Sequence, residues 1–162
     1  MDSALIIRTI GAADDAAIYE IIRNIMLEYG ALPEGTILGD PVIQALSGSY
    51  QNEGSVYYLA ELNGEIVGGG GINKLTGAEE KICELQRMFL LKKARGKGIG
   101  KTLIDKCLET ATQFHYTGCY LETLPNMTEA QHLYQKSGFH YLEKPMGNTG
   151  HDTCNVWMYK EL

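Results

Sequence analysis

The sequence predicts one α/β domain built on a mixed, mostly antiparallel sheet. Three observations predict it. Apolar residues switch between a helical period and an extended one along the chain, Asn63-Gly64 sits between two strand-like runs, and a strand, a glycine-rich loop and an amphipathic helix follow one another between Ile82 and Ile104. No repeat, low-complexity tract or linker interrupts the pattern. The 162 residues, 44% of them hydrophobic, are therefore expected to form a single domain over 1–162 with one substantial core.

Residues 5–8 read as a short first strand. Over 13–29, Ile18, Ile21, Ile22, Ile25 and Tyr29 recur at helical spacing, and Asp14 and Asp15 suit the positive end of a helix dipole. Residues 30–41 are rich in breakers and predict a surface loop, with a short helix over 42–50. Strands over 56–62 and 65–67 flank Asn63-Gly64, a pair that readily adopts the positive φ of a tight hairpin. The run Gly68 to Gly71 predicts a bulge or a close backbone approach. Gly77, Ala78 and Glu79 then turn the chain into the strand carrying Glu84.

From 98 to 114, Leu103, Ile104, Cys107, Leu108 and Ala111 share one helix face, which predicts packing on a sheet. Residues 118–124 form the next strand. Asn126 is expected to cap the following helix, with Glu129 completing a capping box and Gly138 ending it in a left-handed conformation. Strands over 139–142 and 153–159 complete the sheet.

The loop before the 98–114 helix has the composition of an anion site. Glycines admit close backbone approach, unpaired N–H groups at the helix start point outward, and the helix dipole adds positive potential. A nucleotide-binding P-loop is excluded, because only three residues separate Gly96 from Gly100 and Arg95 occupies the position where a glycine is required. The dinucleotide fingerprint G-x-G-x-x-G is excluded as well, because the glycines fall at 96, 98 and 100.

Arg95-Gly-Lys-Gly98-Ile-Gly100 does fit R/Q-x-x-G-x-G/A, and through it the chain resembles the GNAT N-acetyltransferase superfamily. The preceding segment from Glu84 to Leu90 resembles the family's fourth strand. Asn126, Ala130, Leu133-Tyr134 and Gly138-Phe139 resemble its second signature. The resemblance implies the GNAT fold, with about six to seven strands flanked by about four helices. It also implies acetyl transfer from acetyl-CoA to a primary amine by direct attack in a ternary complex. The loop residues Arg95, Gly96, Lys97, Gly98, Ile99, Gly100 and Lys101 would hold the pyrophosphate through backbone N–H groups, with charge added by Arg95, Lys97 or Lys101. Met88 and Leu90 would meet pantetheine or the acetyl carbonyl with their backbone, Asn126 would touch the pantetheine arm, and Tyr134 would protonate the departing thiolate.

Such chemistry needs an acceptor stripped of its proton, since a lysine-like ammonium has a pKa near ~10.4. Glu84 lies mid-strand among apolar residues, where burial would raise its pKa and suit it to be the general base, directly or through a water. The competing reading is a surface carboxylate or one paired with Arg87. Tyr134 shares a helix face with Ala130 and Leu133, where a tyrosine ordinarily packs in the core with its hydroxyl satisfied. Asn148 and His151 either border the acceptor pocket or form a polar turn. Lys92 and Lys93 read as surface charge.

No metal is expected: His115, His132 and His140 lack ligand spacing, and Cys83, Cys107, Cys119 and Cys154 form no C-x-x-C pair. Separated cysteines, no basic-then-apolar leader and no membrane-length apolar run point to a cytoplasmic protein. A net charge of −6 argues against nucleic acid as a partner. Oligomeric state is not legible, although a homodimer is the commonest assembly. Three other readings stand beside the enzyme: a non-catalytic coenzyme-A-binding regulatory domain, a phosphotransferase using Lys101-Thr102 with Glu122, and an acetyl-cysteine route through Cys119 or Cys154, for which no paired base is identifiable.

Overall fold

Central strands that are apolar on both faces must be covered on both sides. The computed structural model describes residues 4–30, 41–78, 81–150 and 154–162. In chain order the elements are β1 (Leu5–Thr9), α1 (Asp15–Glu28), a 3-10 segment (Pro41–Tyr50), β2 (Val56–Leu62), β3 (Glu65–Lys74), β4 (Ile82–Leu90), α2 (Ile99–Gln113), β5 (Gly118–Thr123), α3 (Thr128–Lys136), β6 (His140–Tyr141) and β7 (Val156–Glu161). Among the described residues the strands form one sheet in the order β1-β2-β3-β4-β5-β7-β6. Neighbours are antiparallel except β4 and β5, which run parallel with α2 as the crossover.

The alternation of side chains along β2 shows how the layers are divided. Tyr57 and Leu59 pack with Ile18, Ile22 and Ile25 of α1 and with Ile43 and Leu46 of the 3-10 segment. Tyr58 and Ala60, one residue out of phase, join Leu103, Ile104 and Cys107 of α2 and Tyr134 of α3. Ile22 and Leu103 are both fully buried, and each such side chain contributes about 2 kcal/mol. The Asp15 carboxylate accepts from the backbone N and Oγ of Ser47, both at 2.8 Å, which ties the 3-10 segment to α1.

Several expectations shift. The glycine run does lie inside a strand, as expected, and that strand reaches Lys74 because β2 and β4 pair on either side of it. A β-carbon on Gly69 would lie 2.6 Å from the Tyr57 ring and 2.8 Å from Tyr58 O, so these glycines make the close approach that their sequence suggested. The segment over 42–50 is 3-10 rather than α, and it breaks at Ala45 with φ −131° and ψ 53°. Asn126 does not cap α3. The cap position is Met127, one residue later, and the Asn126 amide instead donates to Tyr29 O at 2.8 Å, a tertiary contact that overrides the local rule. The expected capping box with Glu129 is therefore absent. Gly138 does end that helix, at φ +98°, with the paired bonds Phe139 N to Tyr134 O and Gly138 N to Gln135 O. β7 runs to Glu161 rather than Tyr159, because β5 offers a partner as far back as Gly118. The loop over 31–40, Glu79 and His151 lie outside the described residues.

Candidate active site

The site is created where β4 stops pairing with β5. Their parallel register covers Ile82 with Gly118, Cys83 with Cys119 and Glu84 with Tyr120, and goes no further. On its other edge β4 carries a bulge. Gly71 pairs with Gln86 and Gly69 with Phe89, so Arg87 and Met88 together face Gly70. Arg87 adopts φ +51°, and its carbonyl accepts the Tyr57 hydroxyl at 2.7 Å. The extra residue bends β4 away from β5 and opens a cleft between the two strands.

Two cavities occupy this cleft. The larger, about 430 Å³, runs from the start of α2 past α3 and the end of β4. Of the residues expected to hold the coenzyme, Met88, Leu90, Arg95, Gly96, Gly98, Gly100 and Lys101 line it, as does Tyr134. Lys97, Ile99 and Asn126 do not: Lys97 is exposed, and the Ile99 side chain is buried in the core. The smaller cavity, about 70 Å³, lies deeper along β4 and is walled by Glu84, Gln86, Arg87, Glu122 and Cys154. Met88, Phe89, Met127, Ala130 and Tyr134 belong to both, so the cavities adjoin.

At the α2 end the sequence has built a concave run of donors. Gly96 and Gly98 sit at φ +76° and +79°, and a β-carbon at either would meet nothing within 4 Å. Thr102 N bonds to Gly98 O at 3.1 Å, and the N–H groups from Gly96 to Lys101 find no acceptor among the described residues. Unpaired N–H groups at the positive end of a helix are what a pyrophosphate requires. Gly100 has a packing role, since a β-carbon there would fall 2.7 Å from Leu133 Cδ2. The cations are partly committed elsewhere. Arg95 pairs with Glu28 of α1 at 2.9 Å, donates to Leu90 O at 2.9 Å and lies over the Tyr29 ring, so its side chain anchors the loop. Lys101 pairs with Asp105 at 2.9 Å, exposed and one turn on.

Glu84 is 6% exposed, and burial pushes its pKa up to about 7 against the pull of a 2.7 Å hydrogen bond from Gln86 Nε2 to Oε1. The Glu122 carboxylate raises it further and Arg87 lowers it. No described residue donates to Glu84 Oε2. Arg87 makes no ion pair with Glu84 here; its Nη1 donates to Gln86 Oε1 at 3.0 Å and to the Tyr50 hydroxyl at 3.2 Å. Glu122 accepts from the hydroxyls of Tyr120, at 2.7 Å, and Thr149.

Tyr134 is buried, which raises its pKa, and its ring meets Phe139 edge-on at 6.0 Å. Among the described residues nothing hydrogen-bonds its hydroxyl, although the residue lines both cavities. Burial pushes the Cys154 thiol up to about 12. A side-chain hydrogen bond with Cys83 and burial also raise the Cys119 thiol, so neither thiol has the thiolate character that an acetyl-cysteine route needs. Asn148 lines neither cavity and donates its backbone N to Thr76 O at 2.7 Å. His132 lines the larger cavity; His115 and His140 line neither.

Sequence reasoning missed Gln86 and Tyr57, and it read Tyr50 only as the end of a stretch, from Tyr29, that shapes the acceptor pocket. Gln86 carried a signal, because it stands two residues from Glu84 and so shares its strand face. Tyr50 and Tyr57 carried none, since they reach the site through long-range packing.

The comparisons with known proteins agree with the fold. The model of the Acetyltransferase (GNAT) family matches residues 19–139. The chain is 40% identical over 158 residues to the uncharacterized N-acetyltransferase YjgM of Escherichia coli, spanning 97% of this chain and 95% of that protein. The crystal structure of a GNAT-family acetyltransferase from Staphylococcus aureus superposes with a TM-score of 0.86 at 26% identity, covering 98% of this chain and 99% of the other. The PaiA N-acetyltransferase of Thermoplasma acidophilum, solved in complex with coenzyme A, shares the fold with a TM-score of 0.77 at 20% identity, covering 98% and 99%.

Proposed function

The chain belongs to the GNAT acetyltransferase family, and from that premise we propose that it moves an acetyl group from acetyl-CoA to a primary amine by direct attack within a ternary complex. Acetyl-CoA-dependent N-acetyl transfer is general to the family. One observation carries the finer reading: Glu84 and Tyr134 both wall the smaller cavity, and Tyr134 also walls the larger one that adjoins it and ends at the glycine loop. The larger cavity ends at the glycine loop whose N–H groups suit a pyrophosphate, and coenzyme A bound to the PaiA enzyme of the same fold supports its assignment to the coenzyme.

The acceptor enters the smaller cavity as an ammonium. Glu84, ionised in about half the molecules near pH 7, takes one proton from it. The free amine then attacks the thioester carbonyl, whose oxygen meets backbone N–H on the splayed part of β4. Tyr134 gives its proton to the departing thiolate, and the second proton, which the attacking nitrogen sheds as the amide forms, returns to the Tyr134 oxygen and restores the phenol. Pairing of the two groups across adjoining cavities favours an enzyme over a non-catalytic coenzyme-binding domain. The reading extends to one catalytic domain acting in the cytoplasm; no helix among the described residues is long and apolar enough to cross a membrane.

Calorimetric titration with acetyl-CoA, with magnesium-ATP in parallel, tests the coenzyme site, and thiol release across a panel of small amines tests the transfer. Selective acetyl-CoA binding with amine-dependent thiol release is expected. Binding of ATP alone, or of neither, refutes the assignment.

A further inference from the structure

The bond between Gln86 and Glu84 is not a chance contact. Arg87 carries only donors, so the Gln86 atom within 3.0 Å of its Nη1 must be the carbonyl oxygen. The Tyr50 hydroxyl, 2.8 Å from the same oxygen, donates to it as well, while itself accepting from Arg87 Nη1 at 3.2 Å. With Oε1 fixed by two donors the amide cannot flip, and its N–H must face Glu84 at 2.7 Å. The reversed amide would set N–H against guanidinium and oxygen against carboxylate. We propose that Gln86 is a positioning residue for the catalytic base: Arg87 and Tyr50 lock its carbonyl, its amide N–H holds Glu84 Oε1, and Oε2 is left for the acceptor. The proposal rests on the reading of Glu84 as the base.

The arrangement also tunes that base. Burial favours the neutral carboxyl, whereas an N–H donor favours the carboxylate, and the balance falls at about 7. The groups facing Glu84 are Arg87 on its own strand, Tyr120 and Glu122 from β5, Tyr50 from the 3-10 segment, Tyr134 from α3 and Cys154 ahead of β7. From α1 the cavity receives only apolar Met26. Among the described uncharged residues Gln86 is the one that bonds to the carboxylate.

The test is direct titration of Glu84 by ¹³C NMR, in protein labelled at the glutamate side-chain carboxyl, with the resonance assigned by its loss in Glu84→Gln. It needs neither acceptor nor turnover, so its failure is distinguishable from failure of the acetyl-transfer reading. The wild-type midpoint is expected near 7. Gln86→Met should raise it by about one pH unit, because the donor to the anion is lost. Tyr50→Phe should raise it less, since Arg87 still holds the Gln86 carbonyl. Glu122→Gln should lower it by removing a like charge. An unmoved midpoint in a folded Gln86→Met protein overturns the proposal. Should that variant fail to fold, a Tyr50→Phe midpoint at or below the wild-type value overturns it.

Discussion

Replacing Glu84 with Gln should make the protein more stable at alkaline pH while removing its activity. In the folded state burial holds the carboxyl at about 7, against an ordinary 4.5. Below pH 4.5 both states carry the proton and the group has no pH-linked effect on stability. Between those values the unfolded chain releases its proton and the folded one keeps it, so stability falls as pH rises. Above pH 7 the full penalty of a buried charge is present, about 3 kcal/mol at about 1.4 kcal/mol per pH unit. The residue is 6% exposed, so solvent screening does not relieve it. Glu84→Gln keeps the volume and an acceptor for Gln86 Nε2, and removes only the charge. Urea unfolding of both proteins at pH 4 and pH 8.5 reads the effect. The gain should appear only at the higher pH, as a midpoint shift of about 1.5 M if m is about 2 kcal/mol per M. Turnover should fall about 100-fold or more, with acetyl-CoA affinity little changed. An equal stability change at both pH values would refute the burial argument, and with it the reason for making Glu84 the base.

Tyr134→Phe should lower turnover about 100-fold with acetyl-CoA affinity within threefold of wild type; a lost fold with intact specific activity would make Tyr134 a packing residue. Gly98→Val has open space but sits at φ +79°, so it should strain the loop by about 1–2 kcal/mol and sharply weaken acetyl-CoA binding by calorimetry; unchanged affinity would defeat the pyrophosphate assignment. Gly69→Ala should destabilise by about 3 kcal/mol in urea, because its β-carbon meets the Tyr57 ring at 2.6 Å and Tyr58 O at 2.8 Å. Tyr57→Phe removes the donor to Arg87 O and should lower Tm by about 3 °C; an unchanged Tm would mean the bulge needs no such tether.

The parts of the site that sequence made legible are those set by local spacing. Glycines at 96, 98 and 100 at the start of an amphipathic run mark a helix start with outward N–H groups, which the structure shows. An acid amid apolar strand residues announces a perturbed carboxyl, and Glu84 proves to be one. What sequence hid depends on pairing partners far along the chain. Nothing in Gln86-Arg87-Met88 announces that two residues will face Gly70, because the register is decided by β3 and by Tyr57. The glycine run reads as a bulge or a close approach, but which backbone and which ring approach it is decided by its two neighbouring strands. Asn126 departs from its local rule for the same reason: the helix starts one residue later, and the Asn126 Nδ2 donates to Tyr29 O, 97 residues away.

The cleft and the buried Glu84 carboxyl have a common origin in the last β4–β5 pair. Pairing through Glu84 and Tyr120 keeps the carboxyl buried enough to hold its proton near neutrality. Had pairing stopped sooner, water would reach Glu84 and restore ordinary acidity, leaving a weak base. Had it continued, β4 would occupy the space where the cavities meet and leave its backbone no free N–H for a thioester. The bulge supplies the departure at one residue's resolution, and it exists because Tyr57 can lie flat across Gly69 and Gly71 to bond the Arg87 carbonyl. The same bulge turns Arg87 toward Tyr50 and Gln86 instead of Glu84. A regular strand would leave β4 without that turn and Glu84 without its locked amide donor. The glycine run on β3 therefore reaches the surroundings of Glu84 from a distance, by fixing where β4 bulges.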